Sequence, residues 1–128
     1  MRVLLDTHAF LWWIAGDERL SPRASALIGD GSNEVLVSAA SAWEIVAKSR
    51  LGRVEVPTPV DRFFTAQLEA NAFVPLPIQM RHALALEALP DVHADPFDRI
   101  LVAQAVAEEL TLVSRDRVLR GYPVAVEW

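Results

Sequence analysis

An α/β fold with a parallel sheet covered on both faces is predicted for this 128-residue chain by three features. Short apolar runs of strand length recur along it, segments of helical character separate them, and acids stand just beyond two of the runs. Helical connections of ten or more residues suit parallel crossovers and lay apolar cover on each face of the sheet. In such sheets polar chemistry gathers beyond the carboxyl ends of the strands, which is where Asp6 and Asp116 fall.

RVLL at 2 to 5 is the first strand, and helical character then runs through Ala15 until Gly16-Asp17 stops it. Ser21-Pro22 opens a second helix to about Ile28, and GDGSN at 29 to 33 is turn chemistry. The strand EVLVS at 34 to 38 follows, and Ser38 or Ser41 caps the helix SAWEIVAKSRL, which ends at Gly52. Beyond RVEV and the prolines Pro57 and Pro59, a helix is expected over 60 to 71 and a short strand in FVPLP at 73 to 77. Pro75 cannot donate to a ladder and confines that strand to an edge. Residues 79 to 88 read as helix and LPDVHAD as loop, and Pro96 sits at the first position of a long helix. TLVS at 111 to 114 is a strand ending at Arg115-Asp116, and VAVEW at 124 to 128 is the last.

The chain has no room for a second domain, and its 52% hydrophobic content suffices for a core. With no cysteine, a disulfide framework, a thiolate zinc site and a cysteine nucleophile are excluded. The apolar run AFLWWIAG at 9 to 16 is far short of the roughly 20 residues that cross a bilayer, and Asp6 and His8 interrupt any signal-like segment, so a cytoplasmic protein is expected. The net charge of −5 speaks against a nucleic-acid partner, but eleven of the twelve cationic side chains are arginine, the better fork for phosphate. An acid surplus matters less where several carboxylates share one spot and bind cations.

Each acid taken singly has an ordinary use. Asp6 can cap the helix that follows it, Glu44 stands four residues before Lys48, Asp116 suits a turn, and Asp95 is a natural N-cap before Pro96. Asp98 fits less well. It shares a helix side with Leu101, Val102 and Ala105, so its carboxylate borders a buried face and must be protonated, paired or bound to a metal. If Asp6, Glu44, Asp98 and Asp116 meet, each pair at ~4 Å repels by about 4 kcal/mol at an effective dielectric of 20. A hard divalent cation such as Mg²⁺ or Mn²⁺ resolves the conflict.

Four segments, LLDTHAFLWW at 4 to 13, SAWEIVAKSRLG at 41 to 52, DPFDRILVAQA at 95 to 105 and TLVSRD at 111 to 116, resemble the signature blocks of the PIN-domain ribonucleases, in particular VapC-type toxins of bacterial toxin–antitoxin pairs. They occur in order over nearly the whole chain. The resemblance implies a three-layer α/β/α sandwich with a central, mainly parallel sheet, in one domain spanning residues 1 to 128. It implies a metal-dependent endoribonuclease acting on single-stranded or loop RNA, homodimeric, and silenced by a cognate antitoxin that inserts into the active-site groove. Asp6, Glu44, Asp98 and Asp116 are the implied catalytic and metal-binding residues for one or two Mg²⁺ or Mn²⁺ ions, the first ion held chiefly by Asp6 and Asp98 and the second near Glu44 and Asp116. The resemblance also implies that water attacks the phosphorus, leaving a 5′-phosphate and a 3′-hydroxyl. Asp95 is carried over as an auxiliary acid.

Thr7 and Ser114 adjoin the metal acids and are expected to hold waters, or to serve only as capping and strand-end residues. Arg99, Arg115 and Arg117 are candidates for flanking phosphates, with Arg50 and Arg53 more remote. Trp12, Trp13 and Trp43 offer faces for base stacking, though helical spacing assigns at least one of the adjacent pair to a core. His8 and His93 have no third nitrogen ligand spaced to join them except His82 in a separate helix, so zinc is not expected. Two competing readings are an aspartyl-phosphate phosphatase, which needs a second acid where His8 stands, and a binding module that docks RNA or protein without cutting.

Overall fold

The computed structural model describes residues 1–128. Five strands, β1 (Arg2–Leu5), β2 (Glu34–Ser38), β3 (Val74–Leu76), β4 (Thr111–Val113) and β5 (Val126–Glu127), form one sheet in the order β3-β2-β1-β4-β5, every neighbouring pair parallel. Six helices connect them: α1 (Thr7–Ala15), α2 (Pro22–Gly29), α3 (Ala39–Arg50), α4 (Val60–Ala70), α5 (Met80–Ala85) and α6 (Pro96–Glu108). The architecture is the three-layer α/β/α sandwich. The Pro75 strand lies at one edge, as its missing N–H requires. No helix is long and apolar enough to cross a membrane.

Side chains that alternate along the strands build two separate cores. Val3, Leu5, Val35, Val37 and Val113 face one way and pack with Ala9, Phe10, Leu27, Ile28 and Ile45. Leu4, Leu36 and Leu112 face the other way and pack with Ile100, Leu101, Val102 and Ala105 of α6. Phe10 is fully buried and stacks on Phe64 at 4.8 Å between ring centroids.

Local chemistry sets the boundaries. Ser21 accepts from the Ala24 N–H with Pro22 opening α2, and Asp95 accepts from the Phe97 N–H with Pro96 opening α6. Gly16 adopts the left-handed conformation (φ 63°) that closes α1, where the Asp17 N–H reaches back to the Trp12 carbonyl at 2.9 Å. Two boundaries differ from expectation. Ser38 is both the last residue of β2 and the cap of α3, so the helix begins at Ala39 without a connecting loop. The expected helix at 79 to 88 tightens into a 3₁₀ turn at Leu86–Ala88, because Leu89 precedes a proline and takes an extended conformation.

A buried polar link ties α6 to the sheet. The Ser38 hydroxyl donates to Gln104 Oε1 at 2.5 Å, and Gln104 Nε2 donates to the Pro77 carbonyl at 3.2 Å. Burying these groups satisfied avoids the 1–3 kcal/mol or so that each would cost unpaired. For the opposite face, Phe10→Ala is expected to lower unfolding free energy by about 3–5 kcal/mol, read from the shift of the urea midpoint at unchanged slope.

Candidate active site

A parallel sheet with this strand order brings the ends of β1, β2 and β4 to one edge, and the acids stand there. Asp6 follows β1 directly. Its backbone N–H prolongs the ladder to the Val113 carbonyl at 3.1 Å while its buried Oδ1 accepts from the Ala9 N–H at 2.8 Å, capping α1. Glu44 lies in the second turn of α3 and is also buried. Thr7 Oγ1 donates to Glu44 Oε1 at 2.6 Å and lies 3.0 Å from Ser41 Oγ, and Lys48 pairs with Glu44 Oε2. Thr7 therefore holds a carboxylate of another helix, while the cap of α1 is Asp6.

Asp98 occupies the first turn of α6, one turn beyond the Asp95 cap. Asp116 caps a 3₁₀ turn at Arg117–Gly121, with Oδ1 accepting from the Val118 N–H at 3.0 Å and its own N–H donating to Ser114 Oγ at 3.1 Å. His93, from the loop before α6, stands between these two acids, with Nε2 3.0 Å from Asp116 Oδ2 and 3.4 Å from Asp98 Oδ2. Sequence reasoning set His93 aside for want of a nitrogen partner. Its partners are carboxylates five and 23 residues away, which spacing does not reveal.

The electrostatics join Asp6, Glu44 and Asp98, while Asp98 and Asp116 meet across His93. Burial pushes the Asp6 carboxyl above its usual range, Glu44 adds to the rise, and the Ser114 hydroxyl, the Ala9 N–H and His8 oppose it. Asp98 is pushed up to about 7, first by burial and then by Asp95, against the pull of His93, with Asp6 and Glu44 adding to the rise. Asp116 lines a cavity of about 310 Å³ together with Asp6, His8, Trp12, Arg115 and Arg117. The donors are carboxylate oxygens, and the protein's own nearby cations are Lys48 against Glu44 and the arginines Arg115 and Arg117 at the rim of the cavity. Burial and like charge raise the Asp6 and Asp98 carboxyls, and a hard divalent cation supplies the counter-charge that would relieve both.

The remaining candidates divide. Arg115 and Arg117 border the cavity, Arg115 with its guanidinium carbon 5.8 Å from the Trp12 ring centre. Arg99 is engaged elsewhere, donating to the Pro90 carbonyl at 3.0 Å and Tyr122 Oη at 3.1 Å. Arg53 lines an adjoining groove that shares His8 and Trp12 with the first, and Arg50 is exposed. Trp12 stacks with His8 at 5.3 Å, Trp13 donates to Asn71 at 3.0 Å within the helical layer, and Trp43 is exposed and packs edge-on against Phe97 at 4.8 Å. His82 is fully buried and bound to Glu108, far in role from any ion site.

The family model of the PIN domain matches residues 3–124. The chain is 33% identical over 121 residues to "Ribonuclease VapC22" of Mycobacterium tuberculosis, covering 94% of this chain and 91% of that protein. Among solved structures it is similar to VapBC2 from Rickettsia felis bound to a DNA fragment from their promoter (TM-score 0.72, 14% identity, 100% of this chain and 99% of that chain). It is also similar to VapBC-1 from nontypeable Haemophilus influenzae (TM-score 0.61, 12% identity, 99% and 97%). At these identities the structural likenesses speak for the fold.

Asp98 makes a signed prediction. Its carboxyl is raised from 3.8 to about 7, so between those values the folded state holds a proton that the unfolded chain has released. Stability must then fall as pH rises from about 4 to about 7 and level off above. Relative to Asp98→Asn, which does not titrate, the wild-type protein in chelator should lose thermal stability across that interval. Added Mn²⁺ should restore it increasingly as pH rises. A pH-independent difference between the two proteins would contradict the assignment.

Proposed function

Given that the chain belongs to the PIN-domain family, we propose that it is a divalent-metal-dependent endoribonuclease and the toxin component of a toxin–antitoxin pair. One observation carries this reading: at the carboxyl edge of the sheet Asp98 feels the fields of Asp6 and Glu44 and meets Asp116 across His93, while Asp6 and Asp116 line one cavity. The 33% identity to a ribonuclease over nearly the whole chain supplies the substrate class.

Asp6, Glu44, Asp98 and Asp116 would hold one or two Mg²⁺ or Mn²⁺ ions. Bound there, such ions lower the pKa of a water and offset charge on the phosphate and the departing 3′ oxygen. The protein's own groups provide the setting. Asp6 is fixed by its cap to α1 and Asp116 by its cap to the 3₁₀ turn, so neither carboxylate needs ordering when substrate arrives. Thr7 keeps Glu44 turned toward the site and Ser114 braces Asp6 and Asp116. Asp95, committed to capping α6, acts as an auxiliary acid through its field on Asp98. Arg115 and Arg117 contact the phosphates flanking the scissile one, since they border the cavity and have no carboxylate partner within ion-pair distance. Arg99 joins them only by releasing Tyr122.

A cognate antitoxin belongs to the same reading, supported by the likeness to VapBC assemblies, and a homodimeric state is carried over from the family resemblance alone. The phosphatase alternative draws no support from the site, where His8 occupies the position of the second acid and Lys48 is paired with Glu44.

Incubated with mixed RNA and Mn²⁺, the wild-type protein should cleave, and chelator should stop it. Asp6→Asn keeps an oxygen to accept the Ala9 N–H and so preserves the helix cap. It should nevertheless lower the cleavage rate at least about a hundredfold, the upper range for loss of even an outer-shell partner of a metal site. Cleavage that survives both the substitution and chelator would refute the proposal. In a bacterial host, induction should arrest growth and Asp98→Asn at equal expression should relieve the arrest.

A further inference from the structure

His93 lies between Asp98 and Asp116, and one ligand atom from each of the three lies within 4.8 Å of the others. Such a His–Asp–Asp grouping invites a mixed nitrogen and oxygen ion site. The far side of the ring opposes that. The Asp95 backbone N–H donates to His93 Nδ1 at 3.1 Å. A backbone N–H can only donate, so Nδ1 presents a lone pair and the neutral ring carries its proton on Nε2. Ligation through Nε2 would move that proton to Nδ1 and set two donors against each other.

The ring has little freedom to turn away. The His93 backbone N–H donates to Tyr122 Oη at 2.8 Å, Tyr122 is buried, and Arg99 bridges the same hydroxyl to the Pro90 carbonyl. Next to it Val92 packs on Gly121 so closely that a Cβ there would lie 2.8 Å from Val92 Cγ1.

We propose that His93 is a tautomer-locked hydrogen-bond donor that positions Asp116, beside Asp98, for a divalent cation bound by oxygen alone, and that it is not itself a ligand. This rests on the metal site proposed above. With Asp116 Oδ1 held by the Val118 N–H and Oδ2 by His93, both ends of that carboxylate are oriented before any ion arrives. An all-oxygen set also favours Mg²⁺ and Mn²⁺ over the metals that imidazole attracts.

The test uses the full chain. Long-range ¹H–¹⁵N spectra should show the Nε2–H tautomer of His93 both ion-free and loaded with Mg²⁺, and spin-echo spectra of the Mn²⁺-loaded protein should show no directly coupled nitrogen. His93→Ala should weaken Mn²⁺ binding about tenfold or more. His93→Gln keeps an N–H donor near the Nε2 position without an imidazole nitrogen and should recover most of that loss. A switch to Nδ1–H on loading, a directly coupled nitrogen, or unchanged affinity in His93→Ala would overturn the assignment while leaving the metal site standing. A wild-type protein that binds no Mn²⁺ would overturn the site and this role together. If His93→Ala does not fold, the wild-type spectra decide alone.

Discussion

Holding several carboxylates together in a partly dry place, against their own repulsion, is the constraint on which the rest of this structure depends. The fold meets much of it with backbone. A parallel sheet sends each crossover helix off from the same edge, so helix N-termini with free N–H groups converge there. Asp6 caps α1, Asp95 caps α6 and Asp116 caps the 3₁₀ turn. These three acids thus meet the positive ends of helical segments, whereas Glu44, in the second turn of α3, is held by Thr7 and Lys48. Capping and ion binding, which look like rival explanations for a single aspartate, are compatible, since an ion would use a different oxygen or lone pair from the cap.

What the caps leave unbalanced is concentrated at Asp98. It lies three residues beyond its cap, has the His93 ring 3.4 Å from its Oδ2, and feels the fields of Asp95, Asp6 and Glu44. Its high pKa is the residue of the whole arrangement. An ion there would remove the penalty of burial and of like charge at once, which is why the site is better described as a charge deficit in the fold than as a set of four ligands.

Much of this was legible in the sequence because the chemistry is local. Ser21-Pro22 and Asp95-Pro96 announce helix starts, Pro75 confines its strand to an edge, and the helical line from Asp98 through Leu101, Val102 and Ala105 marks an acid bordering a core. The four acids could be named because their blocks resemble a family. What stayed hidden depends on tertiary approach. Thr7 meets Glu44 across 37 positions, Arg99 is drawn to Tyr122 across 23, and His93 finds Asp116 across the same span. No periodicity encodes such meetings. The shortening of the helix at Leu86 follows from Pro90, since a residue before proline avoids helical backbone, but its effect reaches back through Leu89 to residues whose own pattern is helical.

The two cores share no residue, and the acids are divided between the elements that rest on them. Asp6 and Glu44 extend from helices whose Phe10 and Ile45 pack on one face, while Asp98 and the segment holding Asp116 rest on Leu101 and Leu119 on the other. The spacing of the carboxylates is therefore a reading of how the two helical layers are seated relative to each other. A homologous chain can keep every acid and still be silent, if a volume change deep in either layer tilts one pair away from the other. For this architecture the acidic signature identifies a site that has been built, and only the interior says whether it is tuned.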